Sequence, residues 1–257
     1  MILLEMRNLS KFFGGLAAVQ RLDLKVDQGK IFGLIGPNGA GKSTVLNMIG
    51  GTLRPSRGEV IFNGEAITSL PAHEHARRGI ARVFQENAIF AGLTVFENVR
   101  VGYHLQARND LPSLIVNTRS HRDREDRLRE KTLQLLQYVG LTDHVDMKAI
   151  NLPHGRQRLL CLAIALASEP KLLLLDEPLT GMNADEINVM LQKIRALGSE
   201  RGITCIIIEH NLKAVMDLCD WIAVLNFGEK IAEGSPMEIV RNPAVVKAYL
   251  GTEDDVA

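Results

Sequence analysis

The segment GPNGAGKST at positions 36–44 combines glycines, a lysine and hydroxyl residues at a spacing that suits phosphate binding. It follows the apolar run KIFGLI and precedes the run TVLNMIGG, which predicts a strand, a loop and a helix in that order. The glycines let backbone N–H groups point at phosphate oxygens, Lys42 adds a positive charge, and the Ser43 hydroxyl can bind Mg²⁺. The alternative is an ordinary glycine-rich turn. The predicted phosphate loop consists of Gly36, Pro37, Asn38, Gly39, Ala40, Gly41, Lys42, Ser43 and Thr44.

Two adjacent carboxylates, Asp176 and Glu177, end the apolar run LLLLDEP. Ligands bind at such strand ends in parallel sheets. Phosphoryl transfer to water needs a held metal and a polarised water, so we expect Asp176 near the metal and Glu177 near the γ-phosphate. Alone, the pair could instead be acidic residues at a helix start before Pro178. A phosphate loop in the same chain favours the catalytic interpretation.

Two further polar residues follow predicted strands but carry little information singly. Gln85 closes the run IARVF, and His210 follows ITCIIIE. A lone histidine at a strand end is more often a satisfied structural residue than a catalytic one. His73 and His75 do not predict a metal site, because side chains two residues apart on a helix point to opposite sides.

The elements that must position these residues follow from hydrophobic patterning. The runs IARVF, KLLLLD and ITCIIIEH predict strands covered on both faces, hence a mostly parallel sheet in an α/β core. The run EVIFNGEAI contains Asn63-Gly64, which suits a tight hairpin turn in an antiparallel β lobe. We expect one domain over residues 1–257, with the core and β lobe at about 1–85 and 168–257 and a helical lobe at about 86–167.

The helical lobe contains the segment HRDREDRLREKTLQLLQYVG, which predicts a solvated helix ending at Gly140. Its spacing favours the ion pairs Asp123–Arg127 and Glu125–Arg129. Acidic residues cancel the basic ones turn by turn, so this face does not predict nucleic-acid binding.

Composition limits the function classes. The chain has 30 Lys and Arg against 30 Asp and Glu, so no net field draws it to nucleic acid or to an anionic membrane. Its three cysteines lie in apolar surroundings, which favours core packing in a reducing compartment. The start MILLEMRNLS does not predict a signal peptide, and the run LLCLAIALA is about half of the roughly 20 residues that cross a bilayer. A membrane role therefore requires membrane-embedded partners.

Together these residues resemble the ATPase subunits of ATP-binding cassette (ABC) transporters over almost the whole chain. The order Phe13, GPNGAGKST, Gln85, LPHGR, LLLLDEP, TGMN and His210 is similar to that family's adenine-stacking aromatic, phosphate loop, glutamine loop, signature loop, acidic motif, D-loop and switch histidine. The resemblance implies a P-loop NTPase core and binding of ATP and Mg²⁺.

The resemblance also implies individual roles. Phe13 stacks on adenine, Gln85 contacts Mg²⁺ and the attacking water, and Asp176 and Ser43 complete the metal ligands. Glu177 polarises the water, and His210 contacts the γ-phosphate together with Lys42. These roles make the chain an ATPase.

The family's signature loop, L-S-G-G-Q, binds the ATP held by an opposing subunit, and this chain departs from it. The corresponding residues are Leu152, Pro153, His154, Gly155 and Arg156. Pro153 has neither the hydroxyl nor the N–H of serine, although the Arg156 charge can partly compensate. Asn183 stands where the family's D-loop often has aspartate. We therefore expect a heterodimer of two different cassettes, with a homodimer as the alternative.

Two stretches, TVFENVRVGYHLQAR and IAEGSPMEIVRNPAVVKAYLG, resemble importers of branched-chain amino acids and related amides. This similarity implies membrane-spanning permease subunits, an indirect solute-binding protein, a place at the cytoplasmic face of the membrane, and no nucleic-acid partner. The alternative is a soluble ABC-type ATPase acting on ribosomes or DNA. Such relatives usually carry two cassettes or a long coiled-coil insertion, for which this chain has no room.

An apolar cluster after Gln85 has two interpretations. Ile89, Phe90, Leu93 and Phe96 predict either a groove for a short helix of a membrane subunit or internal packing of the helical lobe.

Overall fold

The computed structural model of the chain describes residues 1–84, 88–103 and 119–250. It divides into two compact units. The first consists of Met1–Ile80, Lys171–Glu177 and the described part of Ile194–Ala257, and the second consists of Ala81–Pro170 and Pro178–Lys193.

The first unit contains the predicted antiparallel sheet. Its strands are β1 (Ile2–Phe13), β2 (Leu16–Asp27), β4 (Arg57–Phe62) and β5 (Glu65–Ala66), in the order β2-β1-β4-β5. All three pairings are antiparallel. The predicted tight turn is confirmed: Asn63 and Gly64 both have positive φ, at 50° and 82°, and Phe62 pairs with Glu65 across it.

A six-stranded sheet has the order β10-β9-β3-β8-β7-β6. Its strands are β3 (Ile31–Ile35), β6 (Ile80–Val83), β7 (Leu172–Asp176), β8 (Thr204–Ile208), β9 (Trp221–Asn226) and β10 (Glu229–Gly234). Strands β9, β3, β8 and β7 run parallel, and β10 is antiparallel to β9. Every residue of β3, β7 and β8 is buried, as their unbroken apolar runs predict.

The antiparallel sheet and the first-unit strands of the six-stranded sheet contribute to one hydrophobic core. Met6 and Val60 of the antiparallel sheet belong to the same buried cluster as Leu34, Leu174 and Ile206 of the parallel sheet. The helices of this unit are α1 (Lys42–Ile49), α2 (Ala72–Arg77), α7 (Leu212–Leu218), α8 (Pro236–Val240) and α9 (Pro243–Leu250). The predicted burial of Cys161, Cys205 and Cys219 is confirmed, and none of these three described cysteines forms a disulfide.

The second unit is mainly helical, with α3 (Val95–Tyr103), α4 (Arg119–Val139), α5 (His154–Ala167) and the start of α6 (Ala184–Arg201). Short 3-10 helices cover Thr142–His144 and Ala149–Asn151. Helices α3 and α5 approach so closely at Gly102 that a Cβ there would lie 2.4 Å from the Ile164 carbonyl oxygen. Over the described ranges, no helix combines the length and apolar character needed to span a bilayer.

Helix α4 ends before Gly140, as predicted, but its charged residues find other partners. The Glu125 carboxylate accepts a 2.7 Å hydrogen bond from Arg100 on α3, whereas Arg129 lies over the Phe96 ring. Arg127 donates to the backbone carbonyl of Asp123. The predicted i,i+4 ion pairs were therefore wrong in detail, because contacts with α3 and the backbone compete with local spacing.

Candidate nucleotide-binding site

The phosphate loop joins the end of β3 to the start of α1, in the predicted order of strand, loop and helix. Gly36 and Gly41 have φ values of 149° and 98°. A Cβ on Gly36 would lie 2.0 Å from the Leu225 carbonyl oxygen, and one on Gly41 would lie 2.3 Å from that of Ala18. Only glycine fits these two positions, because of backbone conformation and space together.

Lys42, the first residue of α1, directs its ammonium group back into the loop. Its Nζ donates hydrogen bonds to the carbonyl oxygens of Gly36 at 2.7 Å and Pro37 at 2.9 Å. Burial lowers the pKa of this ammonium, and the nearby carboxylates of Glu177 and Asp176 oppose that shift. The charge is thus held where phosphate oxygens can replace backbone carbonyls as acceptors.

The two predicted acidic residues lie at the carboxyl end of β7. Asp176 is the last strand residue and is 5% exposed. Glu177 has a φ of 50°, and its N–H donates to the Ile208 carbonyl oxygen of the neighbouring strand at 2.9 Å. Left-handed backbone is strained for glutamate, and such strain is concentrated at functional sites.

His210 follows β8 and contacts Glu177 directly. Its Nε2 lies 2.8 Å from Oε1 of Glu177. Because an ionised carboxylate only accepts hydrogen bonds, Nε2 is the nitrogen that donates. Strands β7 and β8 are parallel neighbours, so their carboxyl ends bring the two side chains to the same edge of the sheet.

A cavity of about 440 Å³ collects most of the predicted nucleotide-binding residues, and its size is that of a small-molecule site. Its lining consists of Asn38, Gly39, Ala40, Gly41, Lys42, Ser43 and Thr44, together with Phe13, Glu177 and His210, and further Leu16, Ala17, Ala18 and Phe227. Gly36 and Pro37 contact Lys42 from within the loop. Gln85 lies outside the described residues.

Phe13, at the end of β1, has the exposure expected of a residue that stacks on a base. Its side chain is 49% exposed, and the Lys11 ammonium lies 5.1 Å from the ring centroid. That contact is a cation–π interaction. It occupies one face of the ring and leaves the other face for a planar ligand.

Sequence reasoning missed Phe227 and Leu16, which also line the cavity. Phe227 lies in the turn N-F-G between β9 and β10. A large aromatic where turns usually carry small or polar residues is a signal in the sequence that could have indicated it.

Oxygen ligands for Mg²⁺ are present, although the described residues contain no cluster of three or more His, Cys, Asp or Glu side chains that could hold a metal by themselves. Mg²⁺ commonly takes one or two protein oxygen ligands and completes its octahedron with water and substrate phosphates. The Ser43 hydroxyl and the Asp176 carboxylate fit that pattern. His73 is exposed and His75 is buried against Gly51.

The loop predicted to contact a partner's nucleotide lies at the start of α5 in the second unit. Leu152 is buried, and Pro153 occupies the N-cap position of the helix without a side-chain capping bond. A Cβ on Gly155 would lie 2.3 Å from the Glu186 carboxyl carbon, and a guanidinium nitrogen of Arg156 contacts Nε2 of His144. His154 packs against Gly181, so this loop and the TGMN segment touch.

Asn183 in that segment has a local structural function. Its Oδ1 accepts from the Glu186 N–H at 3.0 Å, and its own N–H donates to Glu186 Oε2 at 3.0 Å. This reciprocal pair is a capping box at the start of α6. Asparagine replaces the family's common aspartate here without losing the cap acceptor.

Comparison with known proteins gives a consistent result. Residues 19–180 match the family model described as ABC transporter, and residues 229–255 match that of the branched-chain amino acid ATP-binding cassette transporter. The chain is 39% identical over 249 residues to the high-affinity branched-chain amino acid transport ATP-binding protein BraF of Pseudomonas aeruginosa, covering 97% of this chain and 98% of that protein.

Solved structures agree with the sequence comparison. A nucleotide-free ATP-binding cassette from an ABC transporter is similar with a TM-score of 0.85 and 32% identity, covering 98% of this chain and 100% of that one. A dimeric cassette in a post-hydrolysis state bound to ADP and Pi has a TM-score of 0.77 and 25% identity, covering 91% and 98% of the two chains.

Proposed function

The chain belongs to the ABC transporter family, and from that membership we propose that it is the ATP-hydrolysing subunit of an importer for branched-chain amino acids or related amides. The cavity that joins a phosphate loop to the Glu177–His210 pair carries this proposal. The match of residues 229–255 and the near full-length similarity to BraF support the solute class.

The site supports hydrolysis by direct attack of water on the γ-phosphorus. Glu177 polarises the water and takes its proton, while the bond from phosphorus to the departing ADP oxygen breaks. Lys42 stabilises charge on the phosphate oxygens, and His210 orients Glu177 and reaches the γ-phosphate. Gln85 is assigned to the water and the metal by resemblance alone.

Mg²⁺, when bound, neutralises phosphate charge during the transfer. We assign Ser43 and Asp176 as its protein ligands, with Gln85 as the third. The buried position of Asp176 beside Lys42 supports this assignment, because the same carboxylate then balances a lysine and a metal at the phosphates.

We place two cassettes around the nucleotides, each offering its α5 loop to the other's ATP. The dimeric ADP-bound cassette supports a dimer as the working form. Pro153 removes the hydroxyl and the N–H that serine would give to phosphate, so a homodimer would carry two weakened sites. A heterodimer leaves this chain's own site to be completed by a standard loop from a different partner.

Membrane-spanning permease subunits are the proposed partners, reached from the cytoplasmic face, where ATP is available. Phe90 is 51% exposed, and its backbone is held by Asn98 through bonds of 2.8 and 3.1 Å. A rigidly presented apolar side chain is what a docked amphipathic helix needs. Phe96, in contrast, is half-buried beneath Arg100 and Arg129, so it supports internal packing.

Purification of a tagged chain from membranes tests the function against the ribosome or DNA alternative. We expect permease subunits to co-purify and reconstituted vesicles to take up leucine only with MgATP, when the solute-binding protein is supplied. Lys42→Ala should abolish uptake while the complex stays assembled. Recovery of ribosomal particles or nucleic acid in place of membrane proteins would refute the transport function.

A further inference from the structure

Phe227 is a large apolar side chain that has no role in the proposed hydrolysis of ATP. Its side chain is 83% exposed and its φ is 45°. A phenylalanine in left-handed backbone is an outlier, and such turn positions usually carry glycine or asparagine. Both solvation and backbone conformation therefore disfavour phenylalanine at this position, and a ligand that covered the ring would remove the solvation cost.

Neighbouring bonds hold this turn against the phosphate loop. The N–H of Gly228 donates to the Ala40 carbonyl oxygen at 3.1 Å, and its carbonyl accepts from the Gln20 N–H at 2.8 Å. A Cβ on Gly228 would lie 2.8 Å from the Ala18 carbonyl oxygen, so the contact with β2 is close. Phe227 is thus held at the cavity wall because both the N–H and the carbonyl of the next residue, Gly228, are hydrogen-bonded.

We propose that Phe227 is the second aromatic wall of the base site, with the adenine packed between the rings of Phe13 and Phe227. The two rings line one cavity but come from different sheets, Phe13 from the end of β1 and Phe227 from the turn after β9. Lys11 covers one face of Phe13, which leaves a single face for the base. This inference rests on the proposed ATP-binding function and makes Phe227 a residue that contacts the base and not the phosphates.

Calorimetric titration of the full chain with MgATP and with magnesium triphosphate tests this division. Phe227→Ala should weaken ATP binding about tenfold, the effect of losing one stacked base, and leave triphosphate affinity unchanged. Phe227→Trp, which keeps an aromatic ring at this position, should bind ATP with wild-type affinity. Met237→Ala is the matched control, because Met237 is 67% exposed and lies outside the cavity lining.

A second variant separates ligand contact from a structural role. Phe227→Gly removes the strained φ, so the nucleotide-free chain should melt at a higher temperature while its ATP affinity falls. Wild-type ATP affinity in Phe227→Ala, or equal losses for ATP and triphosphate, would overturn the inference. If the wild-type chain binds no MgATP and Lys42→Ala changes nothing, the nucleotide function itself fails and this inference fails with it.

Discussion

The Nε2 atom of His210 donates a 2.8 Å hydrogen bond to Oε1 of Glu177, and the two residues follow parallel strands that are direct neighbours. One oxygen of the carboxylate is thus engaged by the imidazole. Glutamine at position 177 keeps an acceptor oxygen for the imidazole but has no basic oxygen for water.

Glu177→Gln should therefore bind MgATP with wild-type affinity and hydrolyse it at least about 100-fold more slowly, the usual contribution of a general base. The variant should accumulate as an ATP-bound dimer, detected by size-exclusion chromatography with light scattering. Turnover at the wild-type rate would remove Glu177 from its assigned role.

Pro153→Ser tests the α5 loop. One charge-assisted hydrogen bond to phosphate contributes about 1.5–3 kcal/mol, so serine should raise turnover of the isolated chain by about 10- to 150-fold. In a complex with a different cassette, only the partner's site should gain. An isolated wild-type chain that is fully active and gains nothing from serine would contradict both the handicap and the heterodimer.

Cysteine crosslinking tests the docking surface around Phe90. Ala91→Cys, at an exposed position next to Phe90, should crosslink to a permease subunit, whereas Glu200→Cys, at an exposed position of α6, should not. The native thiols are buried and add little background. Equal crosslinking from both positions, or none from Ala91→Cys, would count against the groove.

Gly155 and Glu186 should behave as one energetic unit. A Cβ at 155 displaces the Glu186 carboxylate, so Gly155→Ala and Glu186→Ala should each lower the free energy of unfolding by about 1 kcal/mol, the cost of losing a helix cap. The double variant should cost no more than either single one. Chemical denaturation of the four proteins measures this, and additive losses would contradict the shared contact.

Alkaline pH should destabilise the fold through its thiols. Burial raises the pKa of the Cys205 thiol from its ordinary value of 9.0 to about 12. The folded state keeps the thiol proton to a higher pH than the unfolded state does. The contribution of Cys205 to the free energy of unfolding is therefore complete below pH 9 and is lost as pH rises towards 12. Cys205→Ala should flatten the decline in unfolding free energy above pH 9 by about 1.4 kcal/mol per pH unit. Parallel pH profiles would refute this.

Much of the fold was predictable because its signals are local. The strands β7 and β8 are continuous apolar runs that fit only a sheet buried on both faces, and GPNGAGKST needs its glycines for space as well as for phosphate. Asp176 and Glu177 were predictable as candidate site residues because they end a buried strand in a chain that also has a phosphate loop. His210 carried little information by itself and was assigned from its place in the family's order of motifs.

The remainder depends on contacts distant in sequence. Glu125 pairs with Arg100 on another helix, which no spacing within α4 could indicate. Phe227 reaches the cavity because the next residue bonds Ala40 and Gln20, both about 200 positions earlier in the chain. Pairings of this kind are set by tertiary packing, which a periodicity argument does not contain.

The carbonyl oxygen of Ala18 limits where residues can be inserted or deleted in the β1–β2 hairpin. Cβ atoms on Gly41 and Gly228 would lie 2.3 and 2.8 Å from this one oxygen, so three segments converge on it. An insertion within β2 next to Ala18 would move the oxygen and reverse which side chains face the core from Leu22 onward. The Gly14–Gly15 turn, where a Cβ would meet no atom within 4 Å, is free of that constraint. In the β1–β2 hairpin, insertions and deletions at the Gly14–Gly15 turn should therefore leave the protein folded. The same changes in β2 next to Ala18 should destabilise it.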